Sequence, residues 1–364
     1  MKMLFSLRTT TLALIAMAAA IYMTTNNEIP TNAAEPTAAN PLTEKWIGPY
    51  GGIPPFDKVK VTDFKPALEA AMAENLKEID DIANNKAAPT FENTIAAMER
   101  SGAMLSRVAT VYSIWTDNMS SDDVQAIESE MAPKLAAFGD KITQNEALFK
   151  RVEAVYNSPD KSKWTSEQQR LVWVIYTGFV RSGAKLGAEK KKRLSEINQQ
   201  LAGHFTKFSQ NQLGDESELY VELQTEADMA GLSQGLKDAA AAAATSKKVK
   251  ADGIIRNTRS SVDPFLTYSD RRDLREKVWK MFVNRGDNGG ARDNNAVIPE
   301  ILQLRAERAK MLGFPTHAHW RLENAMAKNP ENAMKLMEGV WPAATARVKQ
   351  EVADMQALAN KEKA

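Results

Sequence analysis

The amino-acid sequence predicts an all-α protein, folded as an array of many helices. Along most of its 364 residues, apolar side chains recur at intervals of three and four, which places them on one face of a helix. Residues that favour helix N-caps precede several of these runs. No repeat of about 34 or 40 residues is visible, so the array is not expected to be a regular solenoid.

The first three helices are predicted from apolar stripes that begin just after residue 63. These stripes cover residues 64–82, 91–115 and 124–142. Asp63 is the expected N-cap of the first helix and Thr90 that of the second, because their side-chain oxygens can accept hydrogen bonds from free N–H groups. Pro133 lies inside the third stripe, where its ring predicts a kink.

The later helices are predicted by the same spacing, which continues to the final residues. Their apolar stripes cover residues 173–179, 194–208, 274–281, 297–312 and 336–358. Thr165 and Gln168 fit a capping box at the start of the aromatic-rich helix. Asn329 and Pro330 fit the N-cap and first position of the last helix, in which Pro342 again predicts a kink.

Between these helices, one part of the chain shows a weaker helical pattern. Residues 219–223 and 253–255 are predicted to form short strands, which flank a helical piece at 232–244. That piece contains a run of six alanines, which is expected to be an exposed helix.

The chain has three histidines and no cysteine, which restricts the chemistry of any site. Thiol nucleophiles, disulfides and cysteine-ligated metals are excluded. No pair among His204, His317 and His319 has the four-residue spacing by which a helix presents two imidazoles to one zinc ion. His317 and His319 are expected at a helix start, neutral, as cap or solvent-facing residues, and His204 on the surface. The residues therefore indicate no catalytic or metal-binding side chain, and they leave the substrate-binding residues unknown.

The charge balance argues against nucleic acid as a partner. The 47 basic and 46 acidic side chains give a net charge of +1, so no global field attracts a polyanion. Basic clusters at 190–193 and 246–250 lack the interleaved aromatic residues that bind single strands. Both clusters are expected to be solvated faces.

Other suggestive patterns have ordinary structural interpretations. The glycine clusters at 48–52 and 286–290 match neither G-x-x-x-x-G-K-[ST] nor G-x-G-x-x-G, and they are expected to be turns. The G-x-S-x-G pattern of serine hydrolases is absent from the sequence. The acidic pairs at 80–81 and 122–123 are expected to cap helix ends or to interact with helix dipoles.

The N-terminus has the pattern of a signal peptide. Lys2 and Arg8 precede an apolar stretch at 12–23, which as a helix would span about 18 Å, short of the hydrocarbon core of about 30 Å. Cleavage is expected after Ala20 or near Ala34. The alternative is a short anchor helix that is not cleaved. The pattern predicts an exported protein with no stable membrane span after signal removal.

Three regions are therefore expected along the chain. Residues 1–34 hold the signal peptide and the start of a linker, residues 35–62 form an extended segment rich in proline and glycine, and residues 63–364 form a helical lobe. The last apolar stripe runs to the final residues without a glycine stop, so the lobe is expected to be incomplete at its C-terminus.

Several segments, in a fixed order along the chain, carry a family resemblance. They cover residues 40–42 with Trp46, 48–56, 89–95, 181–186, 208–211, 292–295, 298–302, 304–314 and 326–330. Each is weak alone, as in Pro89-Thr-Phe-Glu-Asn-Thr-Ile95, but their ordered sum is specific. The chain resembles the thimet oligopeptidase and neurolysin family of zinc metallopeptidases, and within it the bacterial peptidyl-dipeptidase (dipeptidyl carboxypeptidase) branch.

The resemblance implies a helical fold of two lobes around a narrow channel that admits short peptides. In such enzymes a later His-Glu-x-x-His helix and a downstream glutamate hold zinc, and the glutamate of the motif activates the attacking water. That motif is absent here, so the likeness covers only about the first half of such an enzyme and carries over no catalytic or metal residue.

For this chain, the resemblance implies an oligopeptide substrate. It also implies that zinc is bound by the full-length family member but not by this chain. Together with the signal-peptide pattern, it implies a periplasmic location. The chain alone is expected to be inactive, as a truncated product or gene fragment that exposes a large apolar face. Two alternatives stay open: a broader oligopeptidase of the same family, and a non-catalytic helical peptide-binding protein.

Overall fold

The computed structural model describes residues 40–362, so the predicted signal peptide lies outside the described residues. Within this range the all-α prediction is confirmed, with one small sheet. The helices are α1 (Val61–Ala83), α2 (Ala97–Arg100), α3 (Ala103–Asn118), α4 (Asp122–Thr143), α5 (Glu146–Tyr156), α6 (Ser166–Arg181), α7 (Ala188–Glu218), α8 (Gln234–Lys247), α9 (Arg259–Tyr268), α10 (Arg272–Val283), α11 (Val297–Met311), α12 (His317–Leu322) and α13 (Pro330–Glu362). The strands are β1 (Tyr220–Leu223) and β2 (Gly253–Arg256), and short helical turns lie at Pro49–Gly51, Pro159–Lys163 and Glu226–Met229.

The chain divides into two compact units, one ending at Leu302 and the other beginning at Gln303. The first unit contains two hydrophobic cores. In the larger core, formed mainly by α1 to α6, Phe64 is 1% exposed and its ring meets the ring of Trp115 edge-on at 5.3 Å. Other fully buried members of this core are Leu42, Leu68, Ile79, Ile95, Met98, Met131, Ile142, Leu148 and Phe179.

A buried arginine ties the loop after α1 to this core. Arg151 of α5 is 6% exposed. Its Nη1 donates to the carbonyl oxygens of Asn85 and Ala87 at 2.8 and 3.0 Å, and its Nη2 donates to Asn93 Oδ1 and Thr94 Oγ1 at 2.9 and 3.3 Å. Burial lowers the pKa of Arg151. These four oxygen acceptors replace the water that the guanidinium loses on folding.

The second core surrounds the small sheet. β1 and β2 pair antiparallel, with Tyr220 opposite Arg256 and Leu223 opposite Gly253, which confirms the two predicted strands. Val262, Phe265 and Val278 cover the sheet from α9 and α10. α8 packs on β2 through Ala240, so the alanine-rich helix is correctly predicted, but its expected exposure is wrong for Ala240 and Ala244.

The starts of the first two helices differ from the prediction. α1 begins at Val61, and Asp63 is not its N-cap but its third residue, whose carboxylate accepts the N–H of Lys60 at 2.8 Å. Thr90 does cap the next helical segment, by accepting the N–H of Asn93 at 3.1 Å, but that segment opens with a wide π-helical turn over Phe91–Ala96.

The predicted second helix is also interrupted, at Gly102. This glycine has φ 72° and separates α2 from α3. Its N–H donates to Glu78 Oε2 at 2.6 Å, and a Cβ at this position would come within 3.1 Å of the amide of Asn75. The break thus allows the backbone to approach α1 closely.

Later helix starts follow the prediction more closely. Gln168 N–H donates to Thr165 Oγ1 at 3.2 Å and Thr165 N–H to Gln168 Oε1 at 3.0 Å, which confirms the capping box. The N–H of Asn332 donates to Asn329 Oδ1 at 2.8 Å, so Asn329 caps α13. α4 and α13 continue through Pro133 and Pro342 as single helices.

Two expectations about charged surface residues need correction. Lys191, in the basic cluster at 190–193, is not solvated but 7% exposed, and its Nζ lies 3.4 Å from Glu146 Oε1. Asp80 and Asp81 lie in the last turn of α1, where the helix dipole is unfavourable to a carboxylate. Burial, followed by the neighbouring Asp81 charge, raises the pKa of Asp80. The pair at 122–123 does lie in a first turn, after the N-cap Ser121.

In the second unit, the long helix α13 presents an exposed apolar stripe. At about 1.5 Å per residue its 33 residues span about 50 Å, and none of them is buried. We call the exposed large apolar side chains of this helix the α13 stripe. They are Met334, Leu336, Met337, Val340, Trp341, Val348, Val352, Met355 and Leu358. Among residues 40–362, no helix is both long enough and apolar enough to cross a membrane.

Candidate functional site

Each of the three histidines has its own set of neighbours. His204 of α7 is half-buried, with Nδ1 3.3 Å from Glu300 Oε2. His317 and His319 lie in the first turn of α12, as predicted, where Thr316 accepts the N–H of His319 at 3.3 Å. His319 Nδ1 also lies 2.8 Å from Thr316 Oγ1, and its Nε2 lies 3.7 Å from Glu331.

A zinc site does not fit the side chains in the described part of the chain. No group of three or more histidine and carboxylate side chains is close enough there to hold a metal ion. Zinc in proteins requires three or four such ligands. No metal-dependent step can therefore be assigned to residues 40–362.

Several polar groups converge where the loop after α10 contacts the C-terminal end of α7. Asp215 of α7 is 5% exposed, and its Oδ2 accepts the N–H of Gly286 at 2.9 Å and the amide of Asn288 at 2.8 Å. Its carbonyl oxygen accepts the amide of Asn257 at 3.2 Å. One buried carboxylate thus joins three separate segments of the first unit. Burying such a group requires hydrogen-bonding partners of this kind.

Two asparagines continue this junction on the other side of the loop. Asn211 donates to Asn294 Oδ1 at 2.9 Å, and Asn294 donates to the carbonyl oxygen of Phe208 at 3.1 Å. The N–H of Asn294, which is 3% exposed, donates to the carbonyl oxygen of Gly286 at 2.8 Å. Gly286 has φ 74°, and a Cβ there would lie 2.8 Å from the Asn294 amide. The predicted turn in the glycine cluster at 286–290 is confirmed, and it is fixed from both sides.

We call these five residues, Asp215, Asn211, Gly286, Asn288 and Asn294, the α7 junction. A cleft of about 520 Å³ opens beside it. The cleft is lined by Asp215, Leu219, Asn288, Gly289, Ala291 and Arg292. Arg292 forms an ion pair with Glu218, and Arg285 Nη1 pairs with Glu216 Oε2 at 2.9 Å.

The lining of the cleft combines polar and apolar groups. It offers amide and guanidinium donors and the carboxylate of Asp215 beside the apolar Leu219 and Ala291. Such a surface can contact a peptide backbone, whose carbonyl groups accept hydrogen bonds.

The amino-acid sequence alone did not indicate this junction as a site. The segments 208–211 and 292–295 carried only the family resemblance, because a lone asparagine or aspartate does not indicate its partner 71 to 83 residues away. A second missed feature lies in the other unit, where Arg305, Arg308 and Arg321 surround His317. Burial, followed by the charges of these three arginines, lowers the pKa of His317 to about 4. This histidine is therefore neutral at pH 7, as expected from the sequence.

Comparison with known proteins places this helical array in a class of peptidases. Residues 265–364 match the model of peptidase family M3. The dipeptidyl carboxypeptidase of Salmonella typhimurium is 34% identical over 319 residues, which are 88% of this chain and 47% of that protein. The dipeptidyl carboxypeptidase of Escherichia coli is 33% identical over 90% of this chain and 48% of its own length.

Oligopeptidase A of Haemophilus influenzae is also similar, at 27% identity over 85% of this chain and 46% of that protein. The chain belongs to peptidase family M3. It spans slightly under half the length of these relatives.

Proposed function

We propose that this chain is the N-terminal, substrate-channel portion of an exported zinc metallopeptidase that releases C-terminal dipeptides from oligopeptides. The observation that carries the proposal is the alignment of about nine tenths of the chain with proteins named dipeptidyl carboxypeptidase. Proteins named oligopeptidase A align over a similar span but at 27% identity. The difference favours dipeptide release over a broader oligopeptidase activity.

The zinc ligands of the active enzyme are, in this proposal, supplied by residues outside the chain. Two features support this. The described residues offer no group of side chains that fits a metal ion. In addition, Trp341 and Leu336 of the α13 stripe are 69% and 73% exposed, on a helix without a single buried residue. A continuous apolar surface of this kind is typical of a face that another protein surface covers.

The proposed contribution of this chain to the reaction is to bind and confine the peptide. The cleft beside the α7 junction supplies hydrogen-bond donors on a rigid support, because Asp215 and Asn294 hold its loop from inside. A peptide held in one orientation loses less entropy at the reaction step, which is how positioning surfaces accelerate cleavage.

Export to the periplasm is the remaining part of the proposal. It is supported by the basic residues and the apolar stretch at 12–23, in the pattern of a signal peptide. Expression of the full gene in a bacterium, followed by fractionation and N-terminal sequencing, tests it. The mature protein should be periplasmic and should begin near residue 21 or residue 35. A cytoplasmic protein that begins at Met1 would contradict export.

A complementation experiment tests the catalytic proposal. The 364-residue chain is mixed with the purified part of the Salmonella relative that does not align with it. The mixture should release dipeptides from an oligopeptide with a free C-terminus, a chelator should abolish the release, and neither component should be active alone. An amidated peptide of the same sequence should resist if dipeptide release is the activity, whereas internal cutting of it would favour the broader oligopeptidase.

The DNA beyond codon 364 separates this proposal from its alternative. A His-Glu-x-x-His sequence there, in frame or after a frameshift, supports the peptidase interpretation. A gene without one favours a helical peptide-binding protein. Stoichiometric zinc in the purified 364-residue chain, with chelator-sensitive dipeptide release, would contradict the proposal that the ligands lie outside it.

A further inference from the structure

The stretch from 303 to 330 is strongly basic, although the whole chain is nearly neutral. It holds five basic side chains and two acidic ones, whereas the net charge of the entire chain is +1. The basic residues are Arg305, Arg308, Lys310, Arg321 and Lys328, and the acidic residues are Glu307 and Glu323. Even if each carboxylate neutralises one cation, an excess of positive charge remains in this short stretch.

Part of this charge is gathered around one tryptophan. The guanidinium carbon of Arg308, on α11, lies 4.7 Å from the ring centroid of Trp320, and that of Arg321 lies 5.8 Å from it. The ring of His317 lies 5.4 Å from the same indole. Cation–π contact holds a guanidinium in place without neutralising it. The two arginines therefore keep their positive charge beside the indole.

Electrostatic coupling connects a third arginine to this group. Burial and the charge of Arg321 lower the pKa of Arg305. Burial lowers the pKa of His317, and the charges of Arg305, Arg308 and Arg321 lower it further. On the same short helix, His319 is paired with Glu331 of α13. Like charges gathered in a partly buried setting raise the energy of the folded state, and a bound anion would lower it.

We propose that Arg308 and Arg321, which both lie over the ring of Trp320, form the centre of a binding site for an oxyanion of the carboxylate or phosphate type, with Arg305 adding to the positive charge. Guanidinium groups present paired N–H donors that match both oxyanions. Two sources share this chemistry: the free C-terminal carboxylate of a peptide, and inorganic phosphate. The proposal does not depend on the proposed peptidase function, because its test measures binding to this chain and not hydrolysis.

Nuclear magnetic resonance of the three histidines provides the test. The signal of His317 is assigned with the His317→Gln variant of the full 364-residue chain, and the protein is titrated at constant ionic strength. The ligands are inorganic phosphate, Ala-Ala with a free C-terminus and amidated Ala-Ala. The His317 signal should shift saturably with at least one of the two oxyanions, and the pKa of His317 should rise when the anion is bound, because the anion offsets the arginine charges.

Matched variants distinguish a built site from general screening. Arg308→Gln and Arg321→Gln should weaken binding about tenfold, as expected for the loss of one charge-assisted hydrogen bond. Lys310→Gln removes the same charge from an exposed position and should leave binding unchanged. Circular dichroism melting shows whether each variant is folded.

The outcomes separate clearly. Binding of free but not amidated Ala-Ala identifies the peptide carboxylate as the ligand, and binding of phosphate alone identifies phosphate. A non-saturable shift, equal effects of amidated and free peptide without any effect of phosphate, or equal weakening by Lys310→Gln and Arg321→Gln would overturn the proposal.

Discussion

α1 and α13 carry the same kind of apolar stripe, but the stripe of α1 is largely buried and that of α13 is exposed. α1 buries nine of its 23 residues against its neighbours, whereas α13 buries none of its 33. Helical spacing of apolar residues indicates which face requires a partner, but it does not indicate where that partner is encoded. The comparison therefore separates a helix that completes a core within the described residues from a helix whose apolar side chains stay exposed there.

The largest expected effect on stability comes from removing a buried aromatic ring of α1. Phe64→Ala should lower the free energy of unfolding by about 3–5 kcal/mol, because it removes a fully buried ring and leaves a cavity between Tyr112 and Trp115. The matched change on α13, Trp341→Ala, should alter it by no more than about 0.5 kcal/mol. Urea denaturation followed by circular dichroism measures both. Similar losses for the two variants would show that the α13 stripe is buried in solution.

A smaller loss is expected when the core loses its buried cation. Arg151→Met should lower the free energy of unfolding by about 2–3 kcal/mol, since four oxygen acceptors lose the donor that the buried guanidinium supplies. Arg151→Lys keeps the charge with fewer directed donors and should fall between wild type and the methionine variant. A methionine variant as stable as wild type would mean that water satisfies these acceptors.

Removing a hydrogen-bonding group of the α7 junction should lower the free energy of unfolding by a smaller amount, and the effect should be local. Asp215→Ala should lower the free energy of unfolding by about 1–2 kcal/mol, because the N–H of Gly286 and the amide of Asn288 lose their acceptor. Hydrogen exchange should accelerate mainly in the loop 284–296. Glu218→Gln, which alters only the exposed ion pair with Arg292, serves as the control and should change stability by about 0.5 kcal/mol or less. Equal acceleration throughout the first unit would indicate that the junction holds the whole unit.

The fold was predictable from the sequence where it depends on residues that are close together in the chain. The stripes, the capping box at Thr165 and the two short strands depend on local spacing and local side-chain chemistry, and local information was enough for them. The break at Gly102 was not predicted, because it depends on contacts with Glu78 and Asn75 across the α1 packing interface. Tertiary contacts decide such features, and local patterns do not contain them.

The candidate site was less predictable than the fold for the same reason. Asp215 and Asn288 are 73 positions apart in the chain and meet only after α7 and the loop have folded. The arginine group around Trp320 was not predicted, because the spacing of His317 was considered only for metal binding and not for its basic neighbours. Arg321, four residues after His317 on the same helix, is a usable sequence signal, because a positive neighbour disfavours both the protonation of a histidine and the binding of a metal cation.

A pH experiment tests whether folding of the second unit lowers the pKa of His317. The folded-state pKa of His317 is about 4, below the ordinary value near 6.5, so the unfolded chain binds the extra proton between these values. The free energy of unfolding should therefore rise as the pH increases from about 4 to about 6.5, and His317→Gln should remove that part of the rise. His204→Gln keeps His317 and should keep the slope. Identical profiles for the two variants would show that folding does not lower the pKa of His317.

The smallest effect on stability, and the sharpest test of the comparison, comes from charging the α13 stripe. Val340→Lys and Val348→Lys together should change the free energy of unfolding by about 0.5 kcal/mol or less, because both side chains are exposed. The same pair should reduce self-association and the binding of a hydrophobic dye, since it interrupts the apolar surface in the middle of the helix. The matched pair on the polar face, Lys335→Gln and Lys349→Gln, should leave dye binding unchanged. If wild type is a monodisperse monomer that binds no dye and melts cooperatively, the stripe is covered within the chain itself, and the difference between α1 and α13 disappears in solution.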